Sequence, residues 1–169
     1  MKKYKIGFIG TGNIATAIFN GITSSGYIKP QNVIVFDTNF EKTTHFLDRG
    51  AYSACSVQEL CLLSEYVFLT VKPQIYESVL TAIKECSADV CFVDVAAGIS
   101  INKVKDYLGF DAPIIRVMPN TPLLLSKGAT ALCPSDDMTS EEFEPVKAMF
   151  ALSGVVETFE ESHMNEIIS

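Results

Sequence analysis

The stretch YKIGFIGTGNIATAIFNG, residues 4–21, limits the possible folds more than any other part of the chain. An apolar run reaches Gly10, and Ile14, Ile18 and Ile22 then recur at helical spacing. A buried strand that passes through a glycine turn directly into a helix is typical of a βαβ unit. The sequence therefore predicts a sheet with parallel strands.

The same alternation continues along the chain. Strands are predicted at residues 5–10, 32–37, 66–71, 90–95 and 113–118, with helix-period segments between them. Several of these runs are apolar at nearly every position, as expected for strands that are covered on both faces. The predicted class is α/β: a Rossmann-like, doubly wound, mostly parallel sheet with helices on both faces.

The last third of the sequence departs from this pattern. Gly128 to Cys133 predicts another short strand, and Thr139 with Glu142 matches a capping box that would begin a last helix. Pro145 conflicts with a regular hydrogen-bond ladder in the early turns of that helix.

The glycine turn reads Gly10-x-Gly12-x-x-Ala15, which is the spacing of a dinucleotide-binding fingerprint. The first glycine permits the tight turn, the second lets the backbone approach a pyrophosphate, and the small alanine allows close packing of helix on sheet. The alternative is a strand-to-helix turn that merely needs glycine. We expect NAD(P)H as the ligand, and the predicted binding residues of the turn are Gly10, Thr11, Gly12, Asn13, Ile14 and Ala15.

Asp37 ends the second predicted strand, where a carboxylate can accept hydrogen bonds from the adenosine ribose. This placement favours NADH over NADPH, because a carboxylate disfavours a phosphate beside it. Asp37 could instead cap the next helix. Thr38 and Lys42 could hold a phosphate, so the preference between the two cofactors stays open.

Composition excludes several other classes of function. The formal charge of −7 argues against nucleic-acid and anionic-membrane partners, which need a basic surface. No apolar run is long enough to span a bilayer and the N-terminus is unlike a signal peptide, so we expect a cytoplasmic protein. The five cysteines form no C-x-x-C pair; we interpret them as core residues and predict no metal site.

More specific motifs follow in order: TVKPQ at residues 70–74, DVAAGIS at 94–100, RVMPNTP at 116–122 and GATAL at 128–132. Together with the glycine turn they closely resemble pyrroline-5-carboxylate reductase, and the resemblance covers essentially the whole chain. It implies hydride transfer from NAD(P)H to the imine of 1-pyrroline-5-carboxylate, which yields proline.

The resemblance also implies further cofactor-binding positions, each at the carboxyl end of a strand. These are Val71, Lys72, Pro73, Ala96, Ala97, Gly98, Met118, Pro119 and Asn120. Thr38, beside Asp37, completes the predicted cofactor-binding set. In one position the chain departs from the family, which commonly has an asparagine two residues before a glutamate ahead of the third helix. Here Val57 precedes Glu59 at that spacing, and Ser56 is only a weak substitute for the missing adenine contact.

In the family a second, all-helical domain forms the dimer or higher oligomer and supplies the substrate groups. We therefore expect residues 1–160 to form the dinucleotide-binding domain, and residues 161–169 to begin a helix leading into such a domain. The catalytic residues are expected in that further domain and are not identified in this sequence. The alternatives are a non-catalytic dinucleotide sensor and a related imine or hydroxy-acid reductase.

Overall fold

A computed structural model describes residues 2–84, 89–96, 98–119, 128–152 and 154–161. Within them, one sheet of eight strands has the order β3-β2-β1-β4-β5-β6-β7-β8. Its strands are β1 (Tyr4–Ile9), β2 (Val33–Phe36), β3 (Tyr52–Ser53), β4 (Ser64–Leu69), β5 (Cys91–Asp94), β6 (Ile114–Pro119), β7 (Gly128–Pro134) and β8 (Gly154–Thr158). Every pair of neighbouring strands is parallel except β6 and β7. The predicted doubly wound, mostly parallel fold is confirmed.

Helices cover both faces of the sheet. The α-helices are α1 (Asn13–Ser24), α2 (Thr44–Asp48), α3 (Val57–Leu63), α4 (Tyr76–Ala82), α5 (Ile101–Leu108) and α6 (Ser140–Ala151). Apolar residues of α3, α4 and α5 form one core layer, and those of α1, α2 and α6 form the other. This arrangement explains why the central strands are apolar on both sides.

The order of the strands positions a binding site. The chain leaves β1 toward β2 on one side, and β4 pairs with β1 on the other. Ligands of open α/β sheets bind where the strand order reverses in this way, at the carboxyl ends of the strands.

The helix α6 begins where its capping box predicts. The Thr139 hydroxyl accepts a hydrogen bond from the Glu142 amide at 3.2 Å, and the Glu142 carboxylate accepts one from the Thr139 amide at 2.8 Å. The helix continues through Pro145, so the expected conflict does not interrupt it. The cap and the burial of Val146 and Phe150 offset the backbone hydrogen bond that proline cannot make.

The expectation that the cysteines are core residues needs one correction. Cys61, Cys91 and Cys133 are buried, but Cys55 is exposed, because it lies in the loop before α3, where its amide donates to Glu59. Cys86 lies outside the described residues.

Candidate cofactor site

A cleft of about 250 Å³ opens at the carboxyl ends of β1, β2 and β4. It brings together predicted residues that are far apart in the sequence. Its lining includes Gly10, Thr11, Gly12, Asp37, Thr38, Val71 and Lys72. Ile75 and Val79 line the same cleft and give it an apolar wall. From the sequence they were not predicted as cofactor-binding residues.

The two glycines of the turn are required for different reasons. Gly10 has a φ of 100°, and an added Cβ would lie 2.7 Å from the Thr70 carbonyl oxygen, so the fold itself excludes a side chain there. Gly12 has a φ of −79°, which any residue adopts, and no described atom lies within 4 Å of an added Cβ. The backbone at Gly12 is therefore open to an approaching group.

Gly12 also precedes the first turn of α1, whose free amide groups and partial positive charge favour an anion. The first turn of α1 carries no acidic residue that would compete for these amides. Ala15 in the same turn is fully buried against the sheet, as its small size predicted, whereas Ile14 is 43% exposed beside the turn. This geometry suits a diphosphate.

Asp37 holds the glycine turn to the end of β2. Its Oδ2 accepts hydrogen bonds from the Thr11 amide at 3.0 Å and the Thr11 hydroxyl at 2.9 Å, and its Oδ1 accepts one from the Asn39 amide at 2.9 Å. Partial burial opposes ionisation, but these hydrogen bonds and Lys42 outweigh it and lower the pKa of Asp37 below its usual value. The carboxylate is therefore ionised and braces the turn while facing the cleft.

The alternative role of Asp37 as a helix cap is only partly realised. The residue that caps the short helical turn Phe40–Thr43 is Asn39, whose side chain accepts from the Glu41 amide. Asp37 supports this cap indirectly through the Asn39 amide.

A second braced turn follows β5. Asp94, the last residue of β5, is fully buried, and its Oδ1 accepts from the Ala96 amide at 3.2 Å. The Tyr76 hydroxyl lies 3.0 Å from the same Oδ1, 2.8 Å from the Leu69 carbonyl oxygen and 3.2 Å from the Ala96 amide nitrogen. Sequence reasoning gave neither Asp94 nor Tyr76 a role.

Burial raises the pKa of Asp94 to about 7, although hydrogen bonds from Tyr76 and Ala96 and the charge of Arg116 act in the opposite direction. Burial and the neighbouring Asp94 also raise the pKa of Tyr76 well above its usual value. Tyr76 is thus a neutral hydroxyl, and Asp94 changes its charge close to neutral pH.

Arg116 and Glu161 extend this network to the far end of the turn. Arg116, on β6, is only 2% exposed, and its guanidinium contacts Glu161 Oε2 at 3.4 Å. The same Oε2 accepts from the amide of Ile101, the first residue of α5, at 2.7 Å. Ser100 caps α5, and Gly109 ends it in a left-handed conformation.

The remaining predicted site residues lie along the same edge of the sheet. Asn13 begins α1, and Pro73 begins a short helical turn after Lys72. Ala96, Gly98 and Met118 follow or end β5 and β6, farther along the sheet from the glycine turn. Pro119 ends β6, and Ala97 and Asn120 lie outside the described residues.

The departure from the family at Val57 has a structural counterpart. Val57 is buried in the core as the first residue of α3, and the Ser56 hydroxyl accepts from the Glu59 amide at 3.1 Å. Ser56 therefore caps α3.

The described residues also bear on two other kinds of site. No cluster of three or more histidine, cysteine, aspartate or glutamate side chains in them has the arrangement of a metal site. The helices described here are all too short or too polar to cross a bilayer.

Residues 5–98 match the model of the family described as "NADP oxidoreductase coenzyme F420-dependent", and the chain belongs to this family. Over 97% of its length it is 34% identical to the pyrroline-5-carboxylate reductase of Escherichia coli K12, of which it covers 62%. The predicted resemblance to these reductases is confirmed.

Solved structures agree with this relationship. A pyrroline-5-carboxylate reductase from Coxiella burnetii matches 99% of the chain with a TM-score of 0.90 and 25% identity, and the chain covers 63% of it. The Plasmodium falciparum pyrroline carboxylate reductase, solved with NADP bound, matches 97% with a TM-score of 0.85 and 28% identity, and the chain covers 60% of it. The chain thus spans less than two thirds of the length of these relatives.

Proposed function

We propose that residues 1–160 form the cofactor half of a pyrroline-5-carboxylate reductase and bind NAD(P)H along the carboxyl ends of β1, β2, β4, β5 and β6. The observation that carries the proposal is the open backbone at Gly12, at the start of α1 and next to the cleft. When bound, the cofactor would supply a hydride to the imine carbon of 1-pyrroline-5-carboxylate, giving proline.

The residues of this chain bind and orient the cofactor. The backbone at Gly12 and the first turn of α1 receive the diphosphate, and Asp37, Thr38 and Lys42 surround the adenosine ribose. Ile75 and Val79 offer an apolar surface to the adenine.

The nicotinamide end of the cofactor lies over the ends of β5 and β6. There Ala96 and Gly98 leave space for the ribose and ring, and Met118 borders them. No described atom lies within 4 Å of a Cβ added at Gly98, which supports this assignment. Ala97, Pro119 and Asn120 complete the proposed set on the strength of the resemblance alone.

The substrate groups and the oligomer contacts belong to the other half of the proposed reductase. We assign them to a helical region following residue 160, as the resemblance implies, with a homodimer or higher oligomer as the assembly. We also propose a cytoplasmic location, which the buried thiols of Cys91 and Cys133, outside any disulfide among the described residues, support.

Titration of the 169-residue protein with NADH and NADPH tests the cofactor half. We expect saturable binding of at least one of them, and a loss of about 100-fold or more in Gly12→Val, because the new side chain would occupy the diphosphate position. Thr81→Val, at an exposed position of α4 outside the cleft lining, is the control and should bind as the wild type does.

Circular dichroism should show that Gly12→Val is folded, since its φ suits any residue and the added Cβ meets no described atom. A folded Gly12→Val variant with unchanged affinity would refute the placement of the diphosphate. Absence of binding by the wild type would refute the proposed cofactor function.

An assay with 1-pyrroline-5-carboxylate in the same buffer tests where the substrate groups lie. Binding of the cofactor without turnover is expected if residues 1–160 supply only the cofactor half. Robust turnover by this chain would place the catalytic groups within it and contradict the proposed division.

A further inference from the structure

The turn after β5 is held by four side chains, three of them buried, that the proposed cofactor contacts do not include. They are Tyr76 on α4, Asp94 on β5, Arg116 on β6 and Glu161 beyond β8. Burying charged groups costs free energy unless they are paired and hydrogen-bonded. The burial of Asp94 and Arg116 at one end of the sheet therefore costs free energy that the contacts of the turn must offset.

We propose that Asp94 and Tyr76 are positioning residues for the nicotinamide half of the cofactor. This inference rests on the proposed function. In it the pair fixes the backbone at Ala96, beside the proposed nicotinamide position, and so determines whether that half of the site is preformed.

The first support is the way in which the pair holds Ala96. The Ala96 amide is within 3.2 Å of both Asp94 Oδ1 and the Tyr76 hydroxyl, and both acceptors are fully buried. Tyr76 also reaches the carbonyl of Leu69, the last residue of β4, at 2.8 Å. One hydroxyl group thus links the ends of two neighbouring strands to Ala96, the second residue beyond β5.

The second support is that the other end of the turn is held by the same network. Glu161 receives the Ile101 amide, and Arg116 contacts Glu161 while its charge also favours ionised Asp94. The backbone between Ala96 and Ile101 is therefore restrained at both ends. Gly98, with a φ of 80°, lies between these two anchors.

The third support is that Asp94 and Tyr76 contact the turn from its core side. Asp94 and Tyr76 are both without exposed surface, so they act on Ala96 from the core. The adenosine end, in contrast, is braced by Asp37 through Thr11, and among the described residues it shares no hydrogen bond with Asp94 or Tyr76. Perturbing the Asp94–Tyr76 pair should therefore affect one half of the cofactor and spare the other.

The experiment compares whole cofactors with their adenosine halves. Affinities for NADPH and adenosine 2′,5′-bisphosphate, and for NADH and ADP, are measured with the wild type, Asp94→Ala, which removes the acceptor oxygen of the Ala96 amide, and Tyr76→Phe. We expect each variant to lose about fivefold in affinity for the whole cofactor, as for the loss of one hydrogen bond, and less than about twofold for the adenosine half.

Tyr66→Phe is the matched control. Tyr66 is a buried tyrosine of the opposite core layer, and its hydroxyl donates to the Glu142 carbonyl oxygen at 2.7 Å. Loss of this hydroxyl removes a comparable hydrogen bond away from the turn after β5. Tyr66→Phe should lower the free energy of unfolding. It should leave the ratio of the affinities for the whole cofactor and its adenosine half as in the wild type.

The outcomes distinguish this proposal from the proposed function. Equal affinities of wild type and both variants, or equal losses for whole and half ligands, would overturn the positioning role while leaving the cofactor site in place. A larger loss for the whole cofactor than for its adenosine half in Tyr66→Phe would also overturn the positioning role. A wild type that binds neither whole nor half ligand would refute the cofactor function and the positioning role with it.

Discussion

The turns after β1 and after β5 are both held by an aspartate at the carboxyl end of a strand, yet the two carboxylates differ in charge behaviour. Asp37 is half-buried and accepts hydrogen bonds from Thr11 and Asn39, and its pKa is lowered. Asp94 is fully buried, and burial raises its pKa to about 7. Contact with water and the number of hydrogen-bond donors thus decide whether an aspartate that holds a turn is fully ionised at neutral pH.

The difference follows the position of each aspartate. Asp37 lines the cleft, so its charge acts directly on whatever group binds beside it. Asp94 lies behind its turn, and its Oδ2 has no hydrogen-bond partner among the described residues. We therefore expect substitutions at the first turn to affect ligand choice, and those at the second to affect the shape of the site and the pH dependence of stability.

The largest effect on stability is expected for Gly10→Ala in the first turn. Its positive φ and the approach of an added Cβ to the Thr70 carbonyl oxygen should together lower the free energy of unfolding by about 4 kcal/mol. Gly12→Ala should change it by less than about 1 kcal/mol, since neither constraint applies. Urea unfolding of both variants measures the difference; equal losses would contradict the separate roles of the two glycines.

The second turn should give the protein an unusual pH dependence. A raised pKa means that folded Asp94 keeps its proton while the unfolded chain has already lost it, so the Asp94 contribution to stability falls as pH rises from about 4 to about 7. The slope is about −1.4 kcal/mol per pH unit in this window.

Asp94→Asn removes this titration. The free energy of unfolding of wild type relative to Asp94→Asn should therefore fall by about 2 kcal/mol between pH 5 and pH 7. Denaturant unfolding at several pH values measures it. A constant difference across the window would show that Asp94 does not titrate there.

The first turn should respond to acid with the opposite sign. The lowered pKa of Asp37 means that its stabilising contribution is present above the unfolded pKa and is lost as pH falls through the folded value. Asp37→Asn should lower the free energy of unfolding by about 1 kcal/mol or less at pH 7, because solvent screens this half-buried group. The loss should shrink below about pH 4, and a loss that grows there would contradict the ionised brace.

How far the sequence predicted these two turns depends on the range of the contacts. The first was predictable because Gly10, Gly12 and Ala15 stand at the spacing of a strand-to-helix glycine turn, and Asp37 ends the next predicted strand. The Ser100 and Thr139 caps were predictable for the same reason, since a cap acts on an amide only a few residues away.

The second turn was not predictable by such reasoning. Asp94 and Tyr76 are 18 residues apart, and their contact exists only because α4 packs under the ends of β4 and β5. A single acid inside the apolar run before Ala96 was the available signal, since an acid in a buried strand needs a partner. The edge strand β8 was also missed, because most of its residues are exposed and it lacks an apolar run.

The smallest expected effect concerns the choice of cofactor at the first turn. Asp37→Ser should narrow the gap between NADH and NADPH affinities by a few-fold, because it removes both the carboxylate charge and the ribose acceptor. Ser would also release Thr11, which Asp37 holds by its amide and hydroxyl. Asp37→Asn separates these effects, since it removes the charge but keeps an acceptor oxygen. A similar shift in both variants would assign the preference to charge repulsion, and an unaltered ratio in both would leave Asp37 only as the brace of the glycine turn.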